Sequence, residues 1–242
     1  DDRLYGRLFR LFYAPLVRVL LDEHPEPFLK YLDAFRYALA GEFGATAHAA
    51  RQIRTPRRWG LEVGTLGDAF DVAGFDGTAQ VDLGQYEHDH RSVDGSAGLS
   101  EMSRSVGETL LRTVVEHGIE IDFDTLESRY RAAAGTLVDQ YAQDAAFNGF
   151  EFDRDHERTQ VDRYADAVRA PDSTDDRLPA WETTSLSPDA VADAAAADLA
   201  DVVGAAGASE RRRVDRSGDA ESRPQSESDP TPSGATHREV GE

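Results

Sequence analysis

Apolar side chains recur at Leu4, Leu8, Leu11, Phe12, Leu16, Val19 and Leu20, with arginines between them. That 3.6-residue spacing predicts a helix over residues 4–21 with one buried face. Pro15 lies inside the run and should kink the helix or divide it, because proline has no N–H and its ring crowds the preceding turn. His24-Pro25-Glu26-Pro27 breaks the pattern, and a short helix resumes from Phe28 to Phe35. A second short helix is predicted from Thr46 to Ile53, ended by Thr55-Pro56, and a longer one from Trp59 to Ala73. The spacing of Met102, Val106, Leu110 and Val114 predicts an amphipathic helix over 99–117, with Ser100 as N-cap and Gly118 as its stop. Long, charged helices follow over 124–147 and 155–168.

Two stretches read as strands. Residues 37–43, YALAGEF, are small and apolar, as in a buried strand entering a site. Residues 78–83, TAQVDL, alternate apolar and polar positions between Gly77 and Gly84. The expected fold class is therefore α/β, mostly helical.

After Pro171 large apolar groups become scarce, and a segment of that kind buries too little surface to offset its ordering entropy. One island departs from this: Ser187 as N-cap, Pro188 at the first helical position and an alanine-rich body predict a helix to Val203. Three regions are expected: a site-bearing part over 1–118, a helical extension over 119–170 suited to dimerisation, and a largely disordered acidic tail over 171–242.

Composition narrows the partners. The 242 residues carry a net charge of −20, and of 26 basic side chains only Lys30 is lysine. So negative a field disfavours nucleic acid and anionic membranes, which need a basic patch. It suits a high-salt interior, where charges are screened within about 3 Å at molar salt. The absence of cysteine excludes disulfides and thiolate chemistry and fits a reducing cytoplasm. No apolar run approaches the roughly 20 residues of a membrane helix.

Candidate chemistry lies at a few points. In E-H-D-H, residues 87–90, two imidazoles stand two apart among Asp82, Glu87 and Asp89, a donor mix that suits Mn, Zn or Fe. A solvated polar loop explains the same spacing. Glu62 is the one acid in the apolar, glycine-rich W-G-L-E-V-G, so it either pairs with Arg57 or Arg58 or holds a substrate hydroxyl. Trp59 beside it offers a flat wall. Gly6-Arg7, with Arg10 a turn on, could grip a carboxylate or phosphate bidentately, or lie on a helix surface. Glu42 in G-E-F resembles a buried acid at a strand end. Two D-x-D triplets, Asp122-Phe123-Asp124 and Asp153-Arg154-Asp155, lie in the charged helical region and do not read as sugar-nucleotide metal motifs.

Taken in order, G-R-L-F-R-L-F-Y-A-P-L, G-E-F, W-G-L-E-V-G, A-Q-V-D-L-G-Q-Y-E-H-D-H-R and S-E-M-S-R resemble the second half of the glucosyl-3-phosphoglycerate synthases, over roughly residues 3–110. Bacterial members show G-R before a helix, G-E-Y, G-Y-G-V-E-I-G, Q-V-N-L-G followed by E-H, and A-M-S-R. The resemblance implies a GT-A type glycosyltransferase, of which this is the acceptor-side part, with the nucleotide-binding half and its D-x-D motif upstream of residue 1. It implies retaining transfer of glucose from a nucleoside diphosphate glucose to 3-phosphoglycerate and a divalent cofactor (Mg or Mn); the long helices of the extension add the expectation of a homodimer. His88 matches the metal ligand, Arg91 and Met102 the donor side, Gly6, Arg7 and Trp59 the acceptor side, and Glu62 the acid facing both. Trp59 replaces a family tyrosine, Phe9 a threonine and His90 an asparagine. A mannosyl-3-phosphoglycerate synthase, or a non-catalytic remnant that dimerises, are the alternatives.

Overall fold

The computed structural model describes residue 4 and residues 6–84, 96–172 and 174–218. Among these the secondary structure is helical, and no helix is long and apolar enough to cross a membrane. The helices are α1 (Ala14–Glu23), α2 (Pro27–Asp33), α3 (Ala47–Gln52), α4 (Leu61–Ala73), α5 (Ser96–Glu116), α6 (Phe123–Asn148), α7 (Arg154–Ala165) and α8 (Pro188–Gly218).

The two expected strands are not formed. Thr78 donates its hydroxyl to the Gly74 carbonyl at 3.1 Å, and the Gln80 side chain accepts from the Arg36 amide at 2.7 Å. These contacts lay residues 78–80 against the end of α2, while Val81 and Leu83 stay exposed. Alternation alone makes no strand without a neighbour to complete its ladder. Residues 37–43 turn instead, the Ala40 amide reaching the Tyr37 carbonyl at 3.3 Å, and the chain is exposed from Gly41 to His48. The lone pairing among described residues is an antiparallel bridge between Thr55 and Leu178.

Pro15 acts as anticipated, through a π turn. Residues Phe9–Tyr13 are π-helical, the Ala14 amide bonds the Phe9 carbonyl, and α1 then starts with Pro15 in its first turn. The Leu11 carbonyl, whose usual helical donor would be the missing Pro15 N–H, accepts the Tyr130 hydroxyl at 2.8 Å. Leu11, Phe12, Leu16 and Leu20 are fully buried, and with Leu110, Leu111, Val114, Leu126, Tyr130 and Val138 they form the core. α6 packs on α1 and α7, α5 on α4, and α2 on α1.

Helix ends follow local chemistry. Asp122 and Asp153, first members of the two D-x-D triplets, are the N-caps of α6 and α7, accepting from the Asp124 and His156 amides. Gly118 and Gly149, both at positive φ, follow α5 and α6. α5 begins at Ser96, so Ser100 is not its N-cap; the helix continues amino-terminally through Ala97 and Leu99.

Residues Asp1–Ser185 and Leu186–Glu242 are separate compact units. In the second, Ser187 caps α8 by accepting from the Ala190 amide at 3.1 Å, and the helix extends past the expected end at Val203 to Gly218. Alanine and arginine, both strong helix formers, supply seven of the 15 residues in that extension. The expected tail from 219 onward lies outside the described residues.

Candidate acceptor site

Glycine sets where Glu62 stands. Gly60, the N-cap of α4, has φ 105°, a left-handed conformation that glycine adopts without steric cost. A Cβ on Gly60 would sit 2.6 Å from Thr109 Oγ1, one on Gly64 2.8 Å from Pro56 Cγ, and one on Gly67 would overlap Thr113 Cγ2. The glycines of W-G-L-E-V-G and the turn after it thus let α4 lie directly on α5. The clasp is fixed from the other side: buried Asp68 accepts from the Arg54 amide at 2.6 Å and from its guanidinium at 2.6 and 3.0 Å.

That packing leaves Glu62 half-buried in the first turn of α4, where the helix N-terminus favours a carboxylate. The expected partner Arg57 is taken, donating from Nε to the Asp176 carbonyl at 2.9 Å. Among the described residues Glu62 has no ion pair with Arg57 or Arg58. Trp59, just before the N-cap, is 49% exposed.

The amino-terminal segment meets Tyr37. Gly6 has φ 71° and its carbonyl accepts the Arg10 amide at 2.9 Å, starting the helical run. A Cβ there would approach Tyr37 Cε2 to 3.0 Å. The Tyr37 ring also packs on Phe9, centroids 5.2 Å apart. Its phenol is pushed above the ordinary tyrosine value by burial first, then by the negative charges of Glu62 and Glu42. G-R-L-F, distant in sequence, therefore touches this half-exposed tyrosine, and the charges of Glu42 and Glu62 act on it. Sequence reasoning did not single Tyr37 out; its one signal was an aromatic ring four residues before G-E-F.

Arg7 is anchored. Its Nε donates to Glu157 Oε1 on α7 at 2.9 Å, and the Glu157 side chain is 8% exposed against 35% for Arg7. Arg10, nearly buried, lies 3.9 Å from Glu157 Oε2 and 4.8 Å above the Tyr141 ring. Burial lowers the Arg10 pKa, and the charge of Glu157 opposes that shift.

Met102 belongs to α5 and is half-buried against the core, on the same stripe as Val106 and Leu110. His88, Arg91 and His90 lie outside the described residues. Asp82 is exposed and accepts from the Gly84 amide at 2.8 Å, which commits one oxygen to a local turn. Among the described residues no three His, Asp or Glu side chains are grouped as a metal site requires.

The candidate groups are thus a half-exposed phenol that feels two carboxylates, an arginine anchored on α7 and an exposed indole. Carboxylates accept from hydroxyls, arginine grips phosphate, and a flat aromatic face suits a sugar ring. No family model and no solved structure matches the chain. It is similar to the glucosyl-3-phosphoglycerate synthase of Methanococcoides burtonii, 36% identical over 203 residues, covering 76% of this chain and 48% of that protein. The Persephonella marina protein of that name is 36% identical over 174 residues, 69% of this chain and 43% of its own length. A Mycolicibacterium paratuberculosis protein of the same name is 37% identical over 106 residues, 44% of this chain and 29% of its own. The chain spans about half the length of the first two curated relatives it matches, and over the part they share it belongs to the glucosyl-3-phosphoglycerate synthase family.

Proposed function

We propose that residues 1–118 form the acceptor side of a GT-A type glycosyltransferase, followed by the helical extension, and that the enzyme moves glucose from a nucleoside diphosphate glucose to 3-phosphoglycerate with retention at the anomeric carbon. The contact of Gly6 with the ring of Tyr37, whose phenol also feels the charge of Glu62, supports the proposal, because the resemblance assigns Gly6 and Glu62 to the acceptor. The names of the relatives support it. The nucleotide-binding half belongs to the length those relatives have beyond the matched part.

In this reading Arg7 grips the acceptor phosphate, Trp59 walls the sugar, and Glu62 orients hydroxyl groups by accepting their hydrogen bonds. Tyr37, kept as the neutral phenol, offers one further donor. The 2-hydroxyl oxygen of the acceptor bonds the anomeric carbon as the bond to the diphosphate oxygen breaks. The hydroxyl proton leaves with the diphosphate, so no protein nucleophile is needed. The resemblance adds a divalent ion, Mg or Mn, with His88 as this chain's ligand; such an ion would neutralise charge on the diphosphate. Arg91 and Met102 belong to the donor side of the same proposal.

The test is transfer by the complete polypeptide that carries residues 1–242. Incubated with nucleoside diphosphate glucose and 3-phosphoglycerate, it should form a glucosylated phosphoglycerate of retained configuration. Preference for the mannose donor would reassign the sugar. No product from either donor would overturn the proposal.

A further inference from the structure

Arg7 and Glu157 are separated by 150 positions, yet their 2.9 Å contact ties the start of the chain to α7. Glu157 is an unusual partner for a site arginine because its carboxylate is itself buried. Stripping water from a carboxylate is costly unless charge-assisted hydrogen bonds replace it. Here Arg7 donates a charge-assisted hydrogen bond to Oε1, while Oε2 accepts none among the described residues and has only the charge of Arg10, 3.9 Å away, beside it. The surroundings are built rather than incidental: α7 packs on the π turn, on α5 and on α6. The Tyr164 phenol, pushed up to about 12 chiefly by burial, feels the charges of both Arg7 and Glu157.

The geometry divides the Arg7 guanidinium between two tasks. Nε is turned to Glu157, and the terminal amino groups make no further hydrogen bond among the described residues. Arginine presents five donors in one plane, so a carboxylate on the Nε side fixes the direction of the opposite edge. A flexible side chain is thereby held in one orientation before any ligand arrives, which reduces the entropy lost on binding.

We infer that Glu157 is a positioning residue for the acceptor: by holding Arg7 at Nε it presents the remaining guanidinium edge to the phosphate of 3-phosphoglycerate. The inference rests on the reading of Arg7 as the phosphate grip. It gives α7, in the helical extension, a part in substrate binding rather than in assembly alone.

Calorimetric titration of the full chain with 3-phosphoglycerate, and with glycerate as the phosphate-free control, separates the two levels. Arg7→Ala and Arg7→Lys should each weaken 3-phosphoglycerate binding about tenfold or more, since lysine keeps the charge but loses the fork. Glu157→Gln, which retains an oxygen within reach of Nε, should bind within about threefold of wild type. Glu157→Asp keeps the charge but is a methylene too short, and should lose about fivefold or more. Thermal midpoints measured alongside identify variants that merely fold less well. If wild type shows no phosphate-dependent heat, the reading of Arg7 fails and the inference with it. If the Arg7 variants weaken binding while Glu157→Asp and Glu157→Gln both bind like wild type, only the positioning role of Glu157 is overturned. Equal losses in Glu157→Gln and Glu157→Asp would also overturn it, since reach would then not matter.

Discussion

Gly6 and the ring of Tyr37 are packed so closely that a Cβ on the glycine would sit 3.0 Å from Cε2. The contact joins the segment carrying Arg7 to the tyrosine whose ionisation the charge of Glu62 opposes. A side chain at position 6 would push the ring aside, and the φ of 71° there also favours glycine. Gly6→Ala is expected to cost about 1–2 kcal/mol, from left-handed strain plus displacement of the ring. A denaturant midpoint for the variant checks this, and an unchanged midpoint would mean the contact is loose.

Tyr37 should ionise later than free tyrosine. Burial and the two carboxylates raise its pKa, so the phenol stays neutral as pH passes the ordinary value of about 10. The sign for stability follows: a folded pKa above the unfolded one contributes stability that is complete below about pH 10 and lost as pH rises through the folded value. The difference between the ultraviolet titrations of wild type and Tyr37→Phe isolates this group. In a Glu62→Gln background that difference curve should move to lower pH, because one of the opposing charges is gone. A curve that does not move would place Glu62 too far from Tyr37 to share a site with it.

The α4–α5 contact depends on the absence of a methyl group at Gly67. Gly67→Ala should destabilise by about 1–3 kcal/mol through overlap with Thr113 Cγ2. Thr113→Ser deletes that methyl while keeping the hydroxyl that donates to the Thr109 carbonyl, so the double variant should recover most of the loss. Additive losses in a double-mutant cycle would show that the two positions do not meet.

Tyr130→Phe removes the donor to the Leu11 carbonyl and leaves a buried acceptor beside Pro15. The expected loss is about 1–3 kcal/mol in thermal or denaturant unfolding. A variant as stable as wild type would mean the π turn satisfies that carbonyl unaided.

Periodicity made much of this fold legible. The stripe from Leu11 to Leu20, the effect of Pro15, the break before α2 and the Gly118 stop all rest on interactions within a few residues. What failed was non-local. TAQVDL alternates like a strand, but a strand needs a neighbour, and its side chains bond the turn at Gly74 and the end of α2 instead. The start of α5 was misplaced because Ser100 has the chemistry of a cap, whereas the helix propagates back to Ser96. In the site, Glu62 stood out as a lone acid among glycines. Arg7 stood out too, but no local pattern links it to Glu157 150 positions away, and no spacing brings Gly6 onto the ring of Tyr37.

Glucosyl transfer by the Glu62→Gln variant of the complete polypeptide, at saturating donor and acceptor, bears most directly on the acceptor site. Removing the carboxylate while keeping the side chain's shape should lower kcat about a hundredfold or more, with the thermal midpoint unchanged. Transfer within about threefold of wild type would show that Glu62 takes no part in orienting the acceptor, and would contradict the site described around Tyr37.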